Sequence, residues 1–115
     1  MAENVVYINT EEGLSRLRNN TGLFAKLLRK FLDDTNLKQL EDTVRDGDIE
    51  NAKIAVHTLK GIAANLSLTE LCEQCLKIET LLKAGSVEFE QLDKIRTVQK
   101  QTIAEIEKFI GKYGQ

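Results

Sequence analysis

Three side chains stand out as candidates for nucleophilic or metal chemistry: His57, which is the only histidine, and Cys72 and Cys75. The cysteines have C-x-x-C spacing. Such a pair does redox work when it opens a helix after a strand, and binds zinc when two further ligands lie at matching spacing. Here both cysteines continue a helical apolar pattern, and a single distant histidine does not complete a ligand set. They read as small core residues in a reducing compartment, and no metal site is expected. His57 is a different case. It lies in IAVHTLKGIAANL, residues 54–66, and Gly61 follows one helical turn later. A glycine inside a helix costs about 0.5–1 kcal/mol relative to alanine. That cost makes sense if something bulky must approach the ring. The plain alternative is an ordinary surface histidine.

The elements that would position His57 follow from periodicity. An apolar start, Val5, Val6, Tyr7 and Ile8, leads to Asn9 and Thr10, which are N-cap candidates for a short helix over residues 11–18. Next, Leu23, Phe24, Leu27, Leu28, Phe31, Leu32, Leu37, Leu40 and Val44 recur at spacings of three and four. They predict one long helix of about 24 residues. RDGD, residues 45–48, ends it, with Gly47 as the stop and Asp48 as the next cap. The histidine helix spans residues 49–66. SLTE, residues 67–70, matches a capping box at a tight reversal. Leu68, Leu71, Cys75, Ile78 and Leu82 face the core from the helix that follows. KAGS, residues 83–86, stops that helix, and Ser86 can cap a last one carrying Phe89, Leu92, Ile95, Val98, Ile103, Ile106 and Ile110. Four substantial helices on short connections predict an all-α, antiparallel up-down four-helix bundle, with a short extra N-terminal helix covering one end.

A helical wheel orients His57. At about 100° per residue, Ile49, Ala52, Val56, Leu59, Ala63 and Leu66 form the core stripe, and His57 points roughly 150° from its centre. Its neighbours three, four and seven positions away are Lys53, Ile54, Lys60, Gly61 and Ala64. Two are cations, two are small, and Ile54 is a branched aliphatic on the side opposite the core.

Composition narrows the function classes. The 115 residues suit a single domain, with 42% apolar and 30% charged residues and no proline. A net charge of −2 with scattered Lys and Arg offers no basic stripe for a phosphate backbone, so nucleic acid is not an expected partner. No apolar run is long enough to span a bilayer, and Met-Ala-Glu-Asn lacks signal-peptide features. The expected location is the cytoplasm, either free or as a domain of a larger membrane protein.

VHTLKGIAANL, together with LCEQCLKIE over residues 71–79, resembles the histidine-containing phosphotransfer (HPt) domain. Members commonly show H-x-L-K-G, then small residues, then a Cys and a Leu/Ile-Glu pair on the next helix. DGDIENAKIA before the histidine and LLRKFLDDT over residues 27–35 also fit. The resemblance runs from about residue 8 to 110, within one domain over residues 1–115. It departs where Ser67 and Leu68 replace the glycine and the small residue that members often carry.

The resemblance implies a phosphorelay intermediate. His57 would accept a phosphoryl group from a receiver-domain aspartate and pass it to another response-regulator receiver. A free imidazole, with a pKa of about 6.5, is largely neutral at pH 7 and can attack without a dedicated base. Lys60 and Lys53 would neutralise phosphate charge, Gly61 and Ala64 would give clearance, and Ile54 would help dock the partner. One ring nitrogen, Nε2, is the expected nucleophile, and the other needs an acceptor. A hairpin reversing near Ser67 brings Glu79 within one turn of His57, which makes it the candidate to orient the imidazole. No Gly-rich phosphate loop is present, so no ATP site and no cofactor are expected, and Mg²⁺ would arrive with the receiver. The expected partners of this monomer are receivers and a hybrid sensor histidine kinase, with no direct membrane contact. Open alternatives are the phosphotransfer domain of a chemotaxis-type histidine kinase and a non-catalytic docking bundle with an incidental His57. A kinase dimerisation domain fits less well, because Thr58 rather than an acidic residue follows the histidine.

Overall fold

A computed structural model describes residues 5–114; the Met-Ala-Glu-Asn start considered above lies outside them. Helices are the only regular elements among the described residues: α1 Thr10–Ser15, α2 Thr21–Phe31, α3 Asn36–Arg45, α4 Ile49–Asn65, α5 Thr69–Lys83 and α6 Phe89–Tyr113. The all-α expectation holds. The long second helix does not, because residues 32–35 divide it in two. Asp34 is the cause. Its carboxylate accepts from the Asn36 backbone N–H at 2.9 Å and from the Asn36 side chain at 2.7 Å, which starts a new helix. Before it, the amides of Leu32, Asp33 and Asp34 reach back only three residues, closing α2 with a tightened turn.

The two halves serve different neighbours. α2 packs on α6, and α3 packs on α4. α4 packs on α5, and α5 on α6. Arg96 on α6 adds a link to Glu41 on α3 at 2.7 Å. Phe24, Leu28, Leu40, Leu59, Leu71, Ile78, Leu82, Ile95 and Ile106 are fully buried in one continuous core. Each such side chain contributes about 1.5–3 kcal/mol through burial. Phe24 and Phe109 meet edge to face, with ring centroids 5.2 Å apart.

Asn9 caps α1 by accepting from Glu12 N–H at 3.1 Å, and Asp48 caps α4 by accepting from Asn51 N–H at 3.2 Å. Gly47, at φ +74°, provides the left-handed residue between α3 and α4. α1 stops at Ser15 instead of residue 18, and Arg18 and Asn19 then take left-handed conformations.

The SLTE stretch behaves differently from the capping box it matches. Leu68 occupies the N-cap of α5 without a side-chain bond, and Ser67 sits one residue earlier at φ +57°. That conformation favours glycine. Ser67 is held there by α1: its hydroxyl donates to Glu12 at 2.8 Å and its carbonyl accepts from Asn9 N–H at 2.8 Å. Arg16 also donates to the Ala64 and Asn65 carbonyls, at 3.1 and 2.8 Å, closing the C-terminal end of α4.

On α6 the buried stripe is Leu92, Ile95, Val98, Thr102, Ile106 and Phe109. Ile103 and Ile110 flank it half-buried, and Phe89 is 83% exposed at the helix start, because the turn after Ser86 places it outside the bundle. Glu88, and not Ser86, precedes α6 as its cap residue.

Candidate functional site

The site is built on the α4–α5 pair. Ala52, Val56, Leu59 and Ala63 bury one side of α4 completely, so the opposite side faces out. The His57 side chain is 72% exposed there, in the middle of the helix. The wheel gives the same orientation from sequence alone. α5 brings Glu79 beside it, with Glu79 Oε2 2.9 Å from His57 Nδ1. The other carboxylate oxygen accepts from Lys60 Nζ at 2.7 Å. Glu79 is only 16% exposed and Lys60 only 25%, so this part of the triad is sheltered.

The electrostatics fix the proton. The Lys60 bond first, and then the His57 bond, hold the Glu79 carboxyl below its ordinary range. An ionised carboxylate has only acceptor sites. The hydrogen between the two groups therefore belongs to Nδ1, which donates to Glu79. In the neutral ring the lone pair then sits on Nε2, directed away from Glu79.

The remaining predicted residues lie around this triad. Lys60 is engaged with Glu79 instead of standing free. Lys53, half-buried, is loosely paired with the exposed Glu50 at 3.9 Å. A Cβ added at Gly61 would meet nothing within 4 Å, so no packing demands a glycine there. Ala64 is exposed, and Ile54 is 62% exposed. A shallow depression of about 420 Å³ opens beside the ring, lined by Glu50, Lys53, Ile54, His57, Thr58, Glu79 and Lys83. Gly61, Ala64 and Lys60 do not line it.

Two residues near the site escape the sequence reading. Lys83 ends α5 one turn beyond Glu79, and a lysine there resembles a routine cation at a helix C-terminus. The i, i+4 spacing from Glu79 was the available signal. Leu76, one turn before Glu79, is 45% exposed and falls off the α5 core stripe.

Cys72 is half-buried and Cys75 buried, both as free thiols. Burial pushes the Cys75 thiol up to about 12 and also raises Cys72, so neither supplies a ready thiolate. Among the described residues, no three His, Cys, Asp or Glu side chains gather as a metal site, and no helix is long and apolar enough to cross a membrane.

An exposed imidazole with a fixed tautomer can act as a nucleophile that carries a group. Comparison with curated proteins and with solved structures gave no match. A family model does match: that of the Hpt domain, over residues 26–108, which spans α3, α4, α5 and most of α2 and α6. With that match over most of its length, the chain belongs to the Hpt domain family, the phosphotransfer modules of two-component signalling.

Proposed function

We propose that the protein is a phosphorelay intermediate that takes a phosphoryl group onto His57 from a receiver-domain aspartate and hands it to a second receiver. The observation that carries this reading is the Nδ1–Glu79 contact at 2.9 Å on a solvent-facing ring, which leaves Nε2 as the free nucleophile. Nε2 attacks the phosphorus of the aspartyl phosphate in line. The N–P bond forms as the P–O bond breaks, and the aspartate leaves as a carboxylate. No proton has to move for this step. The ring becomes cationic as the bond forms, and the Glu79 carboxylate faces that charge from the other nitrogen. The reverse sequence loads the next receiver.

Lys53 contributes positive charge beside the ring, Lys60 holds Glu79 in place through its 2.7 Å ion pair, and Gly61 and Ala64 keep the approach clear. Ile54 and Leu76 offer apolar contact for a receiver. A patch of this size suits a transient complex, which a carrier exchanging partners requires. In this reading the up-down bundle is retained, with α2 and α3 together taking one of its four positions and α1 lying across one end. The protein works as a monomeric phosphocarrier in the cytoplasm, without ATP or a cofactor of its own, and Mg²⁺ comes with the receiver. Its partners are receiver domains and a hybrid sensor histidine kinase.

The test is transfer from a panel of phosphorylated receivers. The wild type is expected to gain acid-labile, alkali-stable phosphate from at least one, and His57→Gln from none. Phosphate on the variant at the wild-type level refutes the reading. Wild type that stays unphosphorylated with every receiver favours a docking bundle instead.

A further inference from the structure

The charges around His57 are not equally available. Lys60, the cation closest in sequence, has its ammonium on Glu79 at 2.7 Å, and the two charges cancel locally. Lys60 also does not line the depression into which the ring opens. Two lysines do: Lys53 from α4 and Lys83 from α5. Lys53 has Glu50 as a counter-charge at 3.9 Å, and Glu50 lines the same depression. Lys83 forms none of the ion pairs found among the described residues. Counting the lining residues with the Lys60 that neutralises Glu79, one positive charge is left over, and it is that of Lys83.

We infer that the cationic work is divided, with Lys60 holding Glu79 in its ionised, imidazole-orienting state and Lys83 meeting the phosphoryl oxygens on His57. This rests on the phosphocarrier reading and deepens it. Lys83 and His57 line the same depression. Lys83 stands four residues after Glu79, on the same edge of α5. Its flexible stem lets the ammonium follow a phosphoryl group from the attacking position to the bound one. An arriving phosphoryl group brings negative charge into a depression whose other carboxylates already have partners. Lys83 is then the cation that gains a counter-charge without breaking an existing pair. Lys60 would have to abandon Glu79 to do the same.

The probe is phosphoramidate, a small phosphodonor with no protein surface, so that docking does not enter. Rates of His57 phosphorylation are measured for wild type, Lys83→Ala, Lys83→Arg and His57→Gln across a range of KCl concentrations. The expected result is a loss of about tenfold for Lys83→Ala, with Lys83→Arg retaining most of the rate. The wild-type rate falls with salt, and that of Lys83→Ala is nearly flat. A merely structural lysine at the end of α5 would shift the melting temperature and leave the salt dependence unchanged. If wild type is phosphorylated on His57 and Lys83→Ala matches it in rate and salt response, the role of Lys83 is overturned and the carrier function stands. If wild type takes no phosphate either here or from any receiver, both fall together.

Discussion

Replacing Gly61 should separate stability from function in opposite directions. The position is helical and exposed, and an added Cβ meets nothing within 4 Å. Alanine there has no steric penalty and restricts the unfolded chain. Gly61→Ala is therefore expected to stabilise the fold by about 0.5–1 kcal/mol. For 115 residues the unfolding entropy is about 0.24 kcal/mol/K, so the melting temperature should rise by about 2–4 °C. Gly61→Leu keeps most of that gain, because leucine is nearly as good a helix former. It also places a branched side chain one turn from the His57 ring. A partner held about 1 Å further away loses on the order of 100-fold in rate. The assay pairs calorimetric melting with single-turnover transfer from a phosphorylated receiver, using phosphoramidate as the control donor. The expected pattern is a higher melting temperature for both variants, with transfer from the receiver suppressed only in Gly61→Leu. A lower melting temperature for Gly61→Ala would mean that the glycine is structural. Undiminished receiver transfer in Gly61→Leu would refute the clearance argument.

Two further expectations concern the scaffold and the triad. At Gly13 the opposite holds from Gly61: a Cβ would lie 2.5 Å from Phe24 Cζ, and Phe24 is locked against Phe109. Gly13→Ala should therefore cost about 1–3 kcal/mol in urea unfolding, and an unchanged midpoint would contradict the packing described. The Glu79 carboxyl titrates below its ordinary value of 4.5 in the folded state. The stability it contributes is therefore whole above that value and drains away as pH falls through the lower folded value. The stability gap between wild type and Glu79→Gln should shrink as pH falls below the ordinary carboxyl value of 4.5 in denaturant titrations. A gap that widens toward acid would reverse the sign.

How far the sequence reached is seen best at particular residues. The outward direction of His57 was legible because four of the α4 core residues are wholly buried and their 3.6-residue period leaves only one side open. Glu79 was legible to within a turn because helix rise and hairpin length constrain which residues face each other. The break at residues 32–35 was hidden for a related reason. α2 and α3 both turn their apolar sides toward the same core, so the spacing of leucines continues across a point where the backbone does not. Ser67 misled because its type suits a capping box, while the turn between α4 and α5 needs a left-handed residue at that place. What stabilises it there is Glu12, 55 positions earlier, which no local pattern can register. The engagement of Lys60 with Glu79 and the place of Lys83 in the wall of the depression beside the ring are tertiary facts of the same kind. Side-chain spacing supplies the candidates, and only packing decides which cation is already occupied.

The proposed relay depends on Glu79 holding the proton on Nδ1, which makes Nε2 the atom that carries phosphate. It is tested most directly by ¹⁵N-labelled imidazole NMR of the phosphorylated protein, which assigns the N–P bond to one ring nitrogen. Phosphate is expected on Nε2 of His57, with Nδ1 still protonated toward Glu79. Phosphate on Nδ1, or phosphate on a residue other than His57, would contradict it.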